Sequence, residues 1–198
     1  MEHQTPAWRS EDSIEAVKAV EEISDTELLA QIAAEAPTKE SRLAAIKKMK
    51  PTESQALLAG VAESTEEDSE YEPGALEAVK KISDQTLLAR VAKDAHSECV
   101  RKAAIKKLIP EQHQPLLAEL AEAGEQYYDL DALEAVKKLT DQTLLANVAV
   151  KAESPDVREA AVEKLIPEQH RALLQEIMEE DDDEYVRDAA SAKLNELD

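Results

Sequence analysis

Apolar positions along the chain recur at helical spacing, and one short motif returns six times: Leu28-Leu29-Ala30, Leu57-Leu58-Ala59, Leu87-Leu88-Ala89, Leu116-Leu117-Ala118, Leu144-Leu145-Ala146 and Leu173-Leu174-Gln175. The steps between copies are 29, 30, 29, 28 and 29 residues. Four positions after the first leucine of each copy stands another aliphatic residue (Ile32, Val61, Val91, Leu120, Val148, Ile177), which puts the apolar side chains on one helical face. This is helix A. Between successive A helices lies a second pattern with helical spacing, seen in 43–49 and 100–108. This is helix B. From 13–23 to 185–197 the pattern predicts thirteen helices, seven B and six A, in strict alternation.

Helices of roughly ten residues are not stable alone in water, so each must bury its apolar stripe on its neighbours. A period near 30 residues with two helices and no strand signal predicts an all-α solenoid of about six and a half helical hairpins. Ankyrin repeats have a similar period but want a Thr-Pro-Leu-His segment, which is absent. Residues 1–11 are expected to be a flexible N-terminal segment, and 12–198 a single solenoid. Ser24-Asp25, Ser83-Asp84 and Thr140-Asp141 offer N-cap oxygens to A helices, and Ser24 with Glu27 fits a capping box. Pro51, Pro110 and Pro167 suit the first turn of a helix, where the missing N–H is not needed.

The segments Val100-Arg101-Lys102-Ala103-Ala104, Val157-Arg158-Glu159-Ala160-Ala161 and Val186-Arg187-Asp188-Ala189-Ala190 resemble the second helix of HEAT-like repeats, of the kind found in phycobilisome-lyase-type and other bacterial and archaeal proteins. The resemblance covers about 13–197. It implies a right-handed α-α superhelix, an Arg that braces neighbouring repeats through acidic and carbonyl partners, B helices lining a concave face, and use as a binding scaffold. Such a motif identifies a fold far better than a function.

A longer unit underlies the short one. Residues 75–113 and 132–170 align without a gap, with 28 of 39 positions identical, so the duplicated unit is 57 residues. One kind of B helix carries an Arg (Arg42, Arg101, Arg158) after a short turn; the other lacks it and follows a longer acidic connection, 63–73 or 122–131, with 179–184 as a shortened third. Tyr71, Tyr128 and Tyr185 fall 57 residues apart in or beside these segments, with Tyr127 adjacent. Rings among carboxylates suit a basic protein or peptide, the rings giving contact area and the acids steering. The same Tyr residues also suit a structural role, stapling the start of the following B helix. Lys48, Lys81, Lys107, Lys138, Lys164 and Lys193 each precede the last buried aliphatic residue of a B helix and are expected to face outwards. They form either a ladder that grips an acidic segment or simple complements to the helix dipole.

Composition sharpens this picture. With no Phe, one Trp and four Tyr, the core must be built almost wholly from Ala, Leu, Ile and Val, and three Gly leave few sites for β-turns. The net charge of -21, from 44 acidic and 23 basic side chains, repels phosphate backbones and anionic lipid. Cys99 stands alone, which removes an intramolecular disulfide and a Cys-based metal site. No apolar run approaches a membrane span, so a soluble, cytoplasmic monomer is expected.

Enzyme chemistry finds no constellation to carry it. His113 and His170 read as surface residues at helix starts, lacking the convergent donors a metal needs. Asp181-Asp182-Asp183-Glu184 lacks calcium-loop spacing and reads as a solvated acidic turn. Cys99 and His96 lack a third partner, and Gly60, Gly74 and Gly124 are too scattered for a phosphate loop. No cofactor, metal or catalytic residue is expected. The leading expectation is a protein-binding scaffold, with Tyr71, Tyr127, Tyr128, Tyr185 and the six lysines as candidate contacts. The alternatives are an accessory or chaperone-like subunit for a cofactor-attaching lyase or another enzyme, and nucleic-acid binding through a Lys-lined concave face.

Overall fold

The computed structural model describes residues 6–64, 73–124 and 129–197. Among them the chain is all-helical, with thirteen α-helices and no strand. It divides into two compact units, Met1–Lys107 and Leu108–Asp198.

The first unit holds a 3-10 turn (Ala7–Arg9) and helices α1 (Ser13–Glu21), α2 (Thr26–Glu35), α3 (Lys39–Lys48), α4 (Gln55–Glu63), α5 (Pro73–Lys81), α6 (Gln85–Asp94) and α7 (Glu98–Lys107). Each even-numbered helix, an A helix, packs on the B helix that follows it, and B helices stack α1 on α3 on α5 on α7 beside the A stack of α2, α4 and α6. The second unit repeats the plan with α8 (Pro110–Glu122), α9 (Leu130–Lys138), α10 (Gln142–Lys151), α11 (Pro155–Lys164), α12 (Pro167–Glu180) and α13 (Glu184–Asn195).

The paired leucines divide their labour. The second of each pair is core: Leu29, Leu58, Leu88, Leu117, Leu145 and Leu174 are all at most 2% exposed. The first is half-buried or, at Leu57, exposed. Small residues on the B helices, among them Ala16, Ala45, Ala78, Ala104, Ala135, Ala161 and Ala190, are fully buried and let helix axes approach to about 8 Å. Gly124 meets the same demand, because a Cβ there would lie 2.7 Å from the Ala132 Cβ.

Capping falls one residue later than the Ser24–Glu27 box predicts. The N-caps of α2, α6 and α10 are Asp25, Asp84 and Asp141, whose carboxylates accept from the Leu28, Thr86/Leu87 and Thr143/Leu144 amides. A carboxylate also answers the positive helix end better than a hydroxyl does. Pro110 and Pro167 open α8 and α12, whereas Pro51 lies in a separate turn before α4. Ser54, His113 and His170 share one kinked backbone conformation three residues after these prolines (φ -134, -130 and -125). Order also reaches into the segment read as flexible: Trp8 is 6% exposed, and Arg9 stacks on it, 4.4 Å from the ring centroid, while pairing with Glu35 at 2.8 Å. No helix among the described residues is long and apolar enough to cross a membrane.

Candidate binding site

One lysine near the end of each of five B helices reaches along the stack to a backbone carbonyl. Lys48 donates to the Glu21 carbonyl, and Lys81 to those of Lys47 and Met49 (2.7 and 3.0 Å). Lys107 reaches the Val79, Lys80 and Ile82 carbonyls, Lys138 that of Leu108 (2.9 Å), and Lys164 those of Val136 and Lys137 (2.8 and 2.7 Å). These carbonyls lie in the last turns of helical segments, at the negative end of the helix dipole; Val79 and Val136 also accept from the Ile82 and Leu139 amides (both 3.1 Å). Burial pushes the Lys107 and Lys164 amines below the ordinary lysine range. The expectation that the lysines point outward is therefore corrected: a long stem carries each of these five amines onto a neighbouring segment. Lys193 differs, pairing with Glu196 on its own helix at 2.9 Å.

Arginines brace the short turns. Arg42, Arg101, Arg158 and Arg187 donate to the C-cap carbonyls of the preceding A helices, at Ala36 (2.8 Å), Ala95 (3.1 Å), Ala152 (3.0 Å) and Asp181 (2.6 Å). The α12–α13 turn thus behaves as a short, Arg-braced turn rather than a shortened acidic connection. Its acids are also more than a solvated run. Asp183 caps α13, and Arg158, 8% exposed, binds Asp181 through Nε and Nη2 (2.9 and 3.0 Å) and Asp182 through Nη2 (2.7 Å). Burial alone would push the Asp181 carboxyl up. The Arg158 hydrogen bond, the Asp183 amide and the guanidinium charge outweigh it and hold the group below the ordinary carboxylate range.

Beside this clamp lies an open cavity of about 360 Å³ between α10, α11 and α12. Its apolar wall includes Val150, Leu173 and Ile177, and its rim includes Glu176, Glu180 and Asp182, with Arg158 already bound to carboxylates. Val150 is 57% exposed, an aliphatic side chain facing solvent next to exposed acids. On α11, burial together with Glu163, Asp156 and Asp183 pushes the Glu159 carboxyl up, marking dense negative charge in the same unit. No family model, curated protein or solved structure matches this chain.

Of the candidate tyrosines, Tyr71, Tyr127 and Tyr128 lie outside the described residues. Tyr185 opens α13, just after the turn that rims the cavity, and is 70% exposed, so it does not staple the helix start. His113 and His170 are half-buried rather than surface residues, each with a buried Nε2 that has no hydrogen-bond partner among the described residues. Cys99 is exposed, and His96 directs Nδ1 at the Glu63 carbonyl, 3.0 Å away.

Val150, Leu173, Glu176 and Glu180 belong to no motif that marks them as site residues in the sequence. A signal exists only for Val150, which stands where the first copy has Lys93. A pair of glutamine brackets is likewise unmarked. Gln55 donates to the Pro51 and Lys81 carbonyls while accepting from the Ser83 and Asp84 amides, and Gln114 does the same with Pro110, Lys138, Thr140 and Asp141.

Proposed function

We propose that this chain is a non-catalytic, HEAT-like binding scaffold whose partner is a basic protein. The observation that carries this reading is where the cations go. Five lysine amines are fixed on backbone carbonyls and the turn-bracing arginines on carbonyls and Asp181–Asp182, so these cations are not projected as a ladder, and the excess of 44 acidic over 23 basic side chains sets the sign of the field. Such a surface accelerates encounter with positively charged partners and repels like charge. The net charge of -21 also argues against a nucleic-acid interface, since it repels phosphates.

The test offers the immobilised protein a defined mixture of basic proteins, acidic proteins and duplex DNA. Retention of basic proteins at low salt, their release as salt is raised and passage of the DNA are expected. Retention of DNA, or passage of every basic protein at low salt, would overturn the reading.

A further inference from the structure

The two copies of the duplicated unit have drifted apart in one direction. Residues 75–113 contain eight Lys or Arg and five Asp or Glu, whereas 132–170 contain five and seven, so the net charge passes from +3 to -2. Two of the lost cations lie on the A helix, and the second of them bears directly on the cavity. Arg90 of the first copy pairs with Glu63 at 2.6 Å; its counterpart is Asn147, which cannot form an ion pair. Lys93 has Val150 as its counterpart, and Val150 lines the cavity wall. The second copy therefore presents an aliphatic side chain, Val150, beside the acids of α12, where the first presents a basic one.

Resting on the proposed reading of a basic partner, we propose that this cavity is the receptor for one Lys or Arg side chain of a basic peptide segment in that partner. The chemistry is matched part by part. A lysine or arginine has an aliphatic stem and a charged head, and it favours sites that cover the first while leaving the second among solvated acids. Val150, Leu173 and Ile177 offer the stem contact, and Glu176, Glu180 and Asp182 receive the head. Arg158 does not repel it, because its charge is already met by Asp181 and Asp182. A volume of about 360 Å³ lies at the small end of pockets that bind ligands, the scale of one or two side chains rather than of a helix. The incoming residue takes the place that Lys93 holds in the first copy, supplied by another molecule.

The experiment measures fluorescence anisotropy of a short labelled peptide of alternating Lys and Ala, titrated with the full chain. A companion peptide carries 2,4-diaminobutyrate in place of Lys and is used at about pH 6, keeping the charge but removing half of the stem. Val150→Lys refills the site from within, and Glu176→Gln with Glu180→Gln strips its rim; all three positions are exposed or half-open, and circular dichroism checks that the variants fold. Glu163→Gln with Glu168→Gln removes the same charge outside the cavity. The proposal expects the Lys peptide to bind the native chain. It expects affinity to fall about tenfold or more for both cavity variants and for the short-stem peptide, and about twofold at most for the control variant.

Equal losses for cavity and control variants, with no discrimination by stem length, would overturn the cavity assignment while leaving a basic partner in place. Absence of binding by any cationic peptide at low salt would overturn both. If spermine competes as well as the peptide and shows the same sensitivity to Val150→Lys, the occupant is a small amine and the peptide assignment fails.

Discussion

Arg158 performs two tasks with one planar group: Nη1 holds the Ala152 and Glu153 carbonyls of its own turn, while Nε and Nη2 hold the carboxylates of the next. With side-chain exposures of 10% and 9%, Arg158 and Asp181 are withdrawn from water, and removing Asp181 leaves the buried guanidinium with only the solvent-exposed Asp182 as a charged partner. Asp181→Asn is expected to cost about 3 kcal/mol near neutral pH. The sign of its pH dependence follows from the carboxyl being held below its ordinary value in the folded chain. Its contribution is complete above the unfolded value of about 3.9 and is lost as pH falls through the lower folded value. Urea unfolding of the native chain and the variant should therefore show a gap at neutral pH that closes below about pH 4. A gap that is absent at neutral pH, or that widens on acidification, would mean the clamp is not stabilising.

At the scale of elements, α3, α5, α7 and α11 each close the end of the preceding B helix through a lysine of the kind seen at Lys164. Lys164→Met keeps most of the apolar stem but frees the Lys137 carbonyl and leaves that of Val136 with only the Leu139 amide, and is expected to cost about 1.5 kcal/mol. Lys193→Met removes only a pair with the exposed Glu196 and should cost about 0.5 kcal/mol or less. Equal destabilisation of the two variants in denaturant titrations would show that stacking does not depend on the amine. This arrangement explains what could be read in advance. The leucine steps reveal every A helix because periodicity is local, and so the alternation of helices is correctly predicted. The Lys residues were found, and their phase on the helix, but not their destination, since a carbonyl 25 to 34 residues away becomes a neighbour only once helices stack. Asp181 lies 23 residues from Arg158 and escaped for the same reason. The Asp25 cap was missed by one position because Ser24 and Asp25 are both good caps, and backbone geometry, not residue type, decides between them. The cavity had no local signature; it could be sensed only where the second copy departs from the first.

Across the whole molecule, a charge of -21 acts on stability and on binding through the same field, with opposite signs. Like charges repel more strongly in the compact state than in the expanded one, so the acidic surplus destabilises the fold. Salt screens this repulsion, since exposed charges separated by more than about 10 Å cease to interact at about 0.1 M. It also weakens exposed ion pairs such as Arg9–Glu35 and Lys80–Glu77, but each of these contributes about 1 kcal/mol at most. The lysine–carbonyl contacts are short-range and partly buried, and are screened least. Raising NaCl from about 0.01 M to about 0.3 M is thus expected to raise the thermal midpoint by about 3 °C, corresponding to roughly 1 kcal/mol for a chain of this size. Over the same range the affinity for a basic peptide should fall, because attraction across the interface is screened as effectively as repulsion within the chain. Melting curves by circular dichroism and peptide anisotropy, taken in the same buffers, check the pair of responses together. A midpoint that falls with salt would assign the stability to surface ion pairs instead of the carbonyl-bound cations, and a salt-independent affinity would remove the acidic field from recognition.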